Sequence, residues 1–201
     1  MKTIAITGAA SGIGAALSKR LTDEGQRVIG VDVQQADIVA DLATRGGRSD
    51  AIAQIRELSK GVLDGLVPCA GLSGLPGRAG SLVTSLNYFG TIDLLTGLRE
   101  TLASAPAPAV VVLSSNSTTT VPPGMTSPAL IEACLSGDEE AARKIGDEVG
   151  SIGAYPATKT ALAHWVRRNA PTAEWIGAGI NLNAIAPGKT ETAMIAEGRA
   201  D

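Results

Sequence analysis

Six short apolar runs punctuate the 201-residue chain, at residues 2–7, 26–32, 36–42, 62–71, 109–113 and 180–186. Between them the apolar residues recur at helical spacing, over 15–21, 46–60 and 81–104, with Ala51, Ile52, Ile55 and Leu58 sharing one side of the second segment. Runs of β-branched residues alternating with amphipathic segments predict strand and helix in turn. That order specifies an α/β fold with a Rossmann-like, doubly wound parallel sheet. At this length the chain is expected to form a single domain over 1–201.

Composition sharpens the core. Hydrophobic residues make up 44% of the chain, yet there is one Phe with two Trp and two Tyr. The interior must therefore be aliphatic, as suits a parallel sheet covered on both faces. A formal charge of −3 gives no reason to expect nucleic acid or an acidic membrane surface as a partner. Two cysteines, Cys69 and Cys134, make neither a disulfide framework nor a metal spacing. No apolar run reaches membrane-spanning length, and the first strand leaves no room for a leader. The expectation is a soluble cytoplasmic protein with no metal.

The first candidate chemistry lies where the first strand meets the first helix, at Thr7-Gly8-Ala9-Ala10-Ser11-Gly12-Ile13-Gly14. Gly8 lets the chain turn off the strand, and Gly12 lets the backbone around Ser11 and Ile13 approach a pyrophosphate. Gly14 lets helix and strand pack closely. Asp32 ends the second strand about twenty residues further on, where a carboxylate can take both ribose hydroxyls of an adenosine. Its charge repels a 2′-phosphate, and positions 9–11 offer no Lys or Arg to attract one, so the expected cofactor is NAD(H). Asp41-Leu42, Ala70-Gly71 and Ser114-Ser115 stand at the ends of the next three strands. In such sheets ligands lie outside those carboxyl ends, so all these residues can converge on one dinucleotide.

The second candidate is Tyr155-Pro156-Ala157-Thr158-Lys159. Residues four apart share a helix face, which sets the Tyr155 hydroxyl near the Lys159 ammonium. Pro156 suits only a first turn, so the helix is expected to start at Tyr155 and run to about Asn169. A phenol has a reference pKa of about 10. A cation about 4 Å away at an effective dielectric of about 20 is worth roughly 4 kcal/mol, or about three pKa units, enough to make it a proton carrier near neutrality.

The glycine loop, Asp32, Asn87, Ser115, Tyr155, Lys159 and Ala184-Ile185-Ala186-Pro187-Gly188 occur in the order shown by the short-chain dehydrogenase/reductase family. Over nearly its whole length the chain resembles that family, and within it the hydroxysteroid dehydrogenase/carbonyl reductase branch. The resemblance implies Tyr155 as catalytic acid/base, with Lys159 steering its proton and holding the nicotinamide ribose. It implies Ser115 as donor to the substrate oxygen, and Asn87 as the helix interruption that links Lys159 to solvent through water. Pro187, Gly188 and either Thr190 or Thr192 would flank the nicotinamide. The implied substrate is a small hydrophobic alcohol or ketone such as a 3α-hydroxysteroid, turned over by a homodimer or homotetramer. Another cyclic alcohol, a broad carbonyl reductase activity, or a non-catalytic NAD-binding regulator are the alternatives.

Two departures from the family pattern stand out. Thirty-nine residues separate Ser115 from Tyr155, well beyond the usual spacing. Ser127-Pro128 and Asp138-Glu139-Glu140 open two helices there, an insertion over about 120–150 expected beside the mouth of the site, either to wall the substrate pocket or to change how subunits pack. The chain also stops at Asp201, where the family usually continues, so a C-terminal lid and last strand are expected to be missing. Smaller readings are that Cys69, where the family has Asn, supports the sheet, that Ser114 and Ser117 are strand-end polar residues, and that His164 is structural.

Overall fold

The computed structural model describes residues 1–122, 124–192, 194 and 196. Its strands are β1 (Thr3–Thr7), β2 (Arg27–Asp32), β3 (Ile38–Val39), β4 (Gly65–Pro68), β5 (Ala109–Leu113) and β6 (Asn181–Ile185). They form one sheet in the order β3-β2-β1-β4-β5-β6, with every neighbouring pair parallel. The chain leaves β1 toward one edge and returns to build the other, so the topological switch lies between β1 and β4. Register then aligns the strand ends. Thr7 faces both Val31 and Pro68, which brings the glycine loop, Asp32 and Cys69 side by side.

Helix α1 (Gly12–Asp23) follows β1, and α2 (Arg45–Leu58) follows β3. Thr44 caps α2 by accepting from the Gly47 amide, satisfying one of the four orphan donors at its start. Ala51 and Ile55 are fully buried while Leu58 is partly exposed. The core is aliphatic, with Ala5, Val31, Leu66, Val110 and Val112 of the sheet all at 0% exposure. Burying each large aliphatic side chain contributes about 1.5–3 kcal/mol. Four of the five aromatics pair edge to face, Tyr88 with Phe89 and Trp165 with Trp175.

The structure departs from the hydrophobic pattern in three places. The apolar run 36–42 yields only two residues of strand, because Asp41 turns the chain into the cap of α2. The segment 81–104 is not one helix but α3 (Gly80–Thr84), a π-helical turn (Ser85–Phe89), α4 (Gly90–Gly97) and α5 (Arg99–Ala103). Most important is the Tyr155 segment. After α6 (Ser117–Thr120) and α7 (Pro128–Ser136), α8 spans Glu139–Asn169, with non-helical backbone at Gly150 (φ 68, ψ 167). Such a backbone conformation is essentially reserved for glycine. The helix that carries Tyr155 therefore begins at Ser151 rather than at Tyr155, and Pro156 sits beyond its first turn.

The insertion has the helices its caps specify. Ser127 accepts from Leu130 N, Asp138 accepts from Ala141 N, and Gly137 ends α7 in the left-handed conformation. α7 and the part of α8 before Gly150 pack away from the cleft, α8 against α3 at a crossing where a Cβ on Gly80 would lie on the Gly146 carbonyl. Arg48, 1% exposed, anchors the start of α8. Its Nη2 donates to Glu139 Oε2 at 2.6 Å, and its Nε lies 2.6 Å from Asp93 Oδ2 in an ion pair without hydrogen-bond geometry. Burial alone would raise the Glu139 carboxyl, but hydrogen bonds from Arg48 and Arg45 outweigh it and hold the group below its ordinary value. Among the described residues no helix is long and apolar enough to cross a membrane.

Candidate active site

A cleft of about 350 Å³ opens along the carboxyl ends of the strands. Its lining includes Gly8, Ser11, Gly12, Ile13, Gly14, Asp32, Leu42, Ala70, Gly71, Ser115, Tyr155, Lys159, Pro187, Gly188, Thr190 and Thr192. Residues far apart in sequence are thus gathered because the strands that carry them share one register. Two residues singled out from the sequence stand outside the lining. The Asp41 carboxylate accepts from Ala43 N at 2.9 Å, as a residue at the head of a helix does. Asn87 is fully buried behind Gly71.

At the adenosine end, Asp32 is held by backbone donors on either side. Ala10 N donates to its Oδ2 at 3.0 Å and Val33 N to its Oδ1 at 2.7 Å. Gln34 N also reaches Oδ1, at 3.4 Å, so Oδ2 with its single donor is the oxygen that keeps a further acceptor position for a hydroxyl. Gly12 has φ +54, and a Cβ there would meet nothing nearer than Thr192 Cγ2 at 3.6 Å. That is an open cradle. Gly14 is the reverse, since its Cβ would stand 2.1 Å from the Gly8 carbonyl oxygen. The Thr7 hydroxyl, 1% exposed, fastens β4 to this loop by accepting from Ala70 N at 2.9 Å.

At the other end, Lys159 is 8% exposed and its Nζ donates to the Leu113 carbonyl at 2.8 Å. Burial pulls this ammonium down to about 8, opposed by the neighbouring Cys69. Burial likewise pushes the Cys69 thiol up to about 11, with Lys159 drawing it back. At neutral pH the lysine is therefore charged and the thiol protonated. Tyr155, half-buried, lines the cleft on the same helix. Ser115 Oγ accepts from Ser117 N at 3.1 Å, which leaves its own hydrogen to donate.

Asn87 sits in the π-helical turn and clasps Leu72 twice, accepting from its amide at 2.8 Å and donating to its carbonyl at 2.9 Å. It thereby fixes the chain after Ala70-Gly71. The segment after β6 is fastened to the exit of β5 by Ser114 N to Ile185 O at 2.8 Å and Asn116 N to Pro187 O at 3.1 Å. Thr190 Oγ1 donates to Gly188 O, whereas the Thr192 side chain lies over Gly12.

Sequence reasoning missed several lining residues. Cys69, read as sheet support, faces the cleft, and Val33, Leu72, Leu86 and Met194 also line it. Val33 carried a signal, an apolar residue immediately after the strand-end acid and 56% exposed. Leu86 and Met194 carried none. None of the insertion's described residues lines the cleft, so the two helices do not wall it.

The chain is 41% identical over 205 residues to a 3α-hydroxysteroid dehydrogenase/carbonyl reductase from Comamonas testosteroni, covering all of this chain and 77% of that protein. It is 31% identical to a coniferyl-alcohol dehydrogenase from a Pseudomonas species, over 98% of this chain and 76% of the relative. Among solved structures, a Pseudomonas 3α-hydroxysteroid dehydrogenase complexed with NADH superposes with a TM-score of 0.93 at 44% identity, over all of this chain and 77% of that one. A family model described as short chain dehydrogenase matches residues 2–127. Strand order, glycine loop and cleft agree with that match: the chain belongs to the short-chain dehydrogenase family and is an oxidoreductase acting on CH–OH groups.

Proposed function

We propose that this chain uses NAD(H) to interconvert a secondary alcohol and a ketone on a hydrophobic cyclic substrate of the 3α-hydroxysteroid type. The observation that carries the reading is that one cleft holds the open cradle at Gly12 and the carboxylate of Asp32 at one end, and Ser115, Tyr155 and Lys159 at the other. The steroid class rests on the likeness to the Comamonas and Pseudomonas enzymes.

The residues divide the work. Asp32 would accept from the adenosine ribose hydroxyls and disfavour a 2′-phosphate. Ser11, Gly12 and Ile13 would present backbone amides to the pyrophosphate at the start of α1. When bound, the nicotinamide ring supplies the acceptor or donor of hydride. Ser115 would donate to the substrate oxygen, and the Tyr155 phenol would exchange a proton with the same atom. Lys159 spends one of its three donors on Leu113 O. The other two would reach the nicotinamide ribose and favour the phenolate, and water beside Asn87 would connect them to solvent. Leu72, Leu86 and Met194 give the cleft apolar lining, in keeping with a hydrophobic substrate. A homo-oligomer belongs to this reading through the family.

The test is to incubate the full-length protein with NAD⁺ and a panel of 3α-, 3β-, 7α- and 17β-hydroxysteroids while following NADH absorbance. Turnover of the 3α-alcohols, abolished in Tyr155→Phe, is the expected result. Absence of turnover across steroids and simple alcohols would overturn the substrate reading. Undiminished turnover by Tyr155→Phe would overturn the mechanism.

A further inference from the structure

We propose that Ser114 is a positioning residue that, with the Leu113 carbonyl, clasps Lys159 at both ends and so sets the register of the Tyr155–Lys159 face against Ser115. The inference rests on the catalytic reading given above for those three residues. Ser114 is 6% exposed, and its Oγ donates to the backbone carbonyl of Lys159 at 2.9 Å. One residue earlier, the Leu113 carbonyl accepts from the far end of the same lysine, its Nζ, at 2.8 Å. Two consecutive residues at the exit of β5 thus hold one residue of α8 by its backbone and by its tip. The clasp is itself anchored, because Ser114 N donates to Ile185 O at 2.8 Å and extends the ladder with β6.

A buried hydroxyl must be bonded, or it costs free energy without return. The carbonyl it serves belongs to a residue inside α8, where the helix ladder already supplies a donor four residues on. The hydroxyl is therefore not needed to satisfy an orphan, and an alanine would fill the place without desolvating a polar group. What the bond adds is direction. Beside Pro156 and Leu162, the buried surface of α8 around the site includes Ala154, Ala157 and Ala161, all 0% exposed. Such small side chains form shallow ridges that resist sliding poorly. The other hydroxyl on this face, Thr158, bonds to the Tyr155 carbonyl of its own helix and pins nothing to the sheet. Ser114 and the Leu113 carbonyl are thus the two halves of a polar pin between sheet and helix at this level. Because Ser115 follows Ser114 directly, a shift at Ser114 changes the distance from Ser115 Oγ to the Tyr155 phenol.

The experiment compares wild type, Ser114→Ala, Ser114→Thr and Tyr155→Phe as full-length proteins, with androsterone and NAD⁺ as probes. Ser114→Ala is expected to lower kcat on the order of ten- to a hundredfold, the range in which sub-ångström misplacement acts. KM values for both substrates should stay within about twofold, since uniform binding is untouched. The pH profile of kcat should change as well, because the clasp holds Lys159, whose ammonium burial pulls down to about 8 against the opposing Cys69. Ser114→Thr keeps the hydroxyl and should recover most of kcat and the wild-type profile. Hydrogen exchange over residues 155–162, measured on all four proteins, gives a readout independent of turnover, and only Ser114→Ala should exchange faster there. A Ser114→Ala enzyme with wild-type kcat, profile and exchange, even at lower Tm, overturns the positioning role while Tyr155→Phe still tests the catalytic reading. Retained turnover in Tyr155→Phe overturns that reading and this inference with it.

Discussion

Two glycines two residues apart make opposite predictions. A Cβ on Gly14 would stand 2.1 Å from the Gly8 carbonyl oxygen and 2.8 Å from its carbon, with Thr7 O at 3.1 Å. All three neighbours are backbone, so α1 must retreat from the end of β1 by about 1 Å to reach ordinary contact near 3.3 Å. Overpacking of that kind costs about 3 kcal/mol. The better helix propensity of alanine returns about 1 kcal/mol. The net loss of about 2 kcal/mol lowers Tm by about 4–8 °C in a chain of this size. Gly12→Ala meets only Thr192 Cγ2 at 3.6 Å, and its cost is the left-handed backbone, about 1 kcal/mol and about 2–4 °C. Its methyl, however, enters the cradle. The assay is thermal unfolding by circular dichroism with and without NADH, alongside NADH fluorescence titration. At 100 times its Kd, NADH should stabilise wild type and Gly14→Ala by about 2.7 kcal/mol, and Gly12→Ala much less. A Gly12→Ala protein that binds NADH like wild type refutes the cradle. A Gly14→Ala protein with unchanged Tm refutes the close approach of helix to strand.

Asp32→Ala removes the acceptor for the ribose hydroxyls and the charge that repels a 2′-phosphate. NADH affinity should fall by about tenfold or more, the scale of a charge-assisted hydrogen bond, and the preference over NADPH should shrink. Unchanged preference in parallel titrations would make Asp32 a turn residue only. Glu139→Gln leaves buried Arg48 with the half-exposed Asp93 as its remaining carboxylate partner and should destabilise the fold by about 1.5–3 kcal/mol at neutral pH, the scale of a hydrogen bond to a charged group. Because the folded carboxyl is held below its ordinary value of 4.5, its contribution is present above that value and lost as pH falls through the folded one. Urea unfolding from pH 7 to 3 should therefore show the gap between wild type and variant closing in acid, and a gap independent of pH would count against the pair.

The parts of the fold legible in the sequence were those written in local chemistry. The ends of β2 and β5, the caps Ser127 and Asp138, and the stop at Gly137 each depend on a few adjacent residues, and the structure has them where the sequence places them. What the sequence hid depends on contacts between distant segments. The π-helical turn around Asn87 is fixed by a clasp on Leu72, fifteen residues away, and no propensity announces it. Nothing local to Arg48 announces its burial, which depends on Glu139 of the insertion pairing with it. Tyr155-Pro156 misled for a related reason. Proline chemistry asks for a first turn, but Gly150 supplies the break one turn earlier, and packing overrides the local preference.

That earlier break bears on how the site is built. Had the helix begun at Tyr155, the catalytic pair would hang on a fraying end. Starting at Ser151 instead places about one full turn before Tyr155, and that turn is tied down, since Ser151 Oγ donates to Leu75 O at 2.6 Å and accepts from Leu75 N at 3.0 Å. Leu75 lies in the same loop that Asn87 clasps at Leu72 and that begins at Ala70-Gly71 in the cleft. The loop after β4 is therefore bound at one end to the glycine loop through Thr7, in its middle to the π-helical turn, and further on to the start of the Tyr155 helix. The glycine loop, read first as a phosphate cradle, is thus also the near end of a chain of hydrogen bonds that reaches the start of the Tyr155 helix. Helices and strands with locked second partners hold catalytic geometry better than free loops do. This chain meets that requirement with hydroxyls and one buried amide, which add direction that the non-directional packing of an aliphatic core lacks.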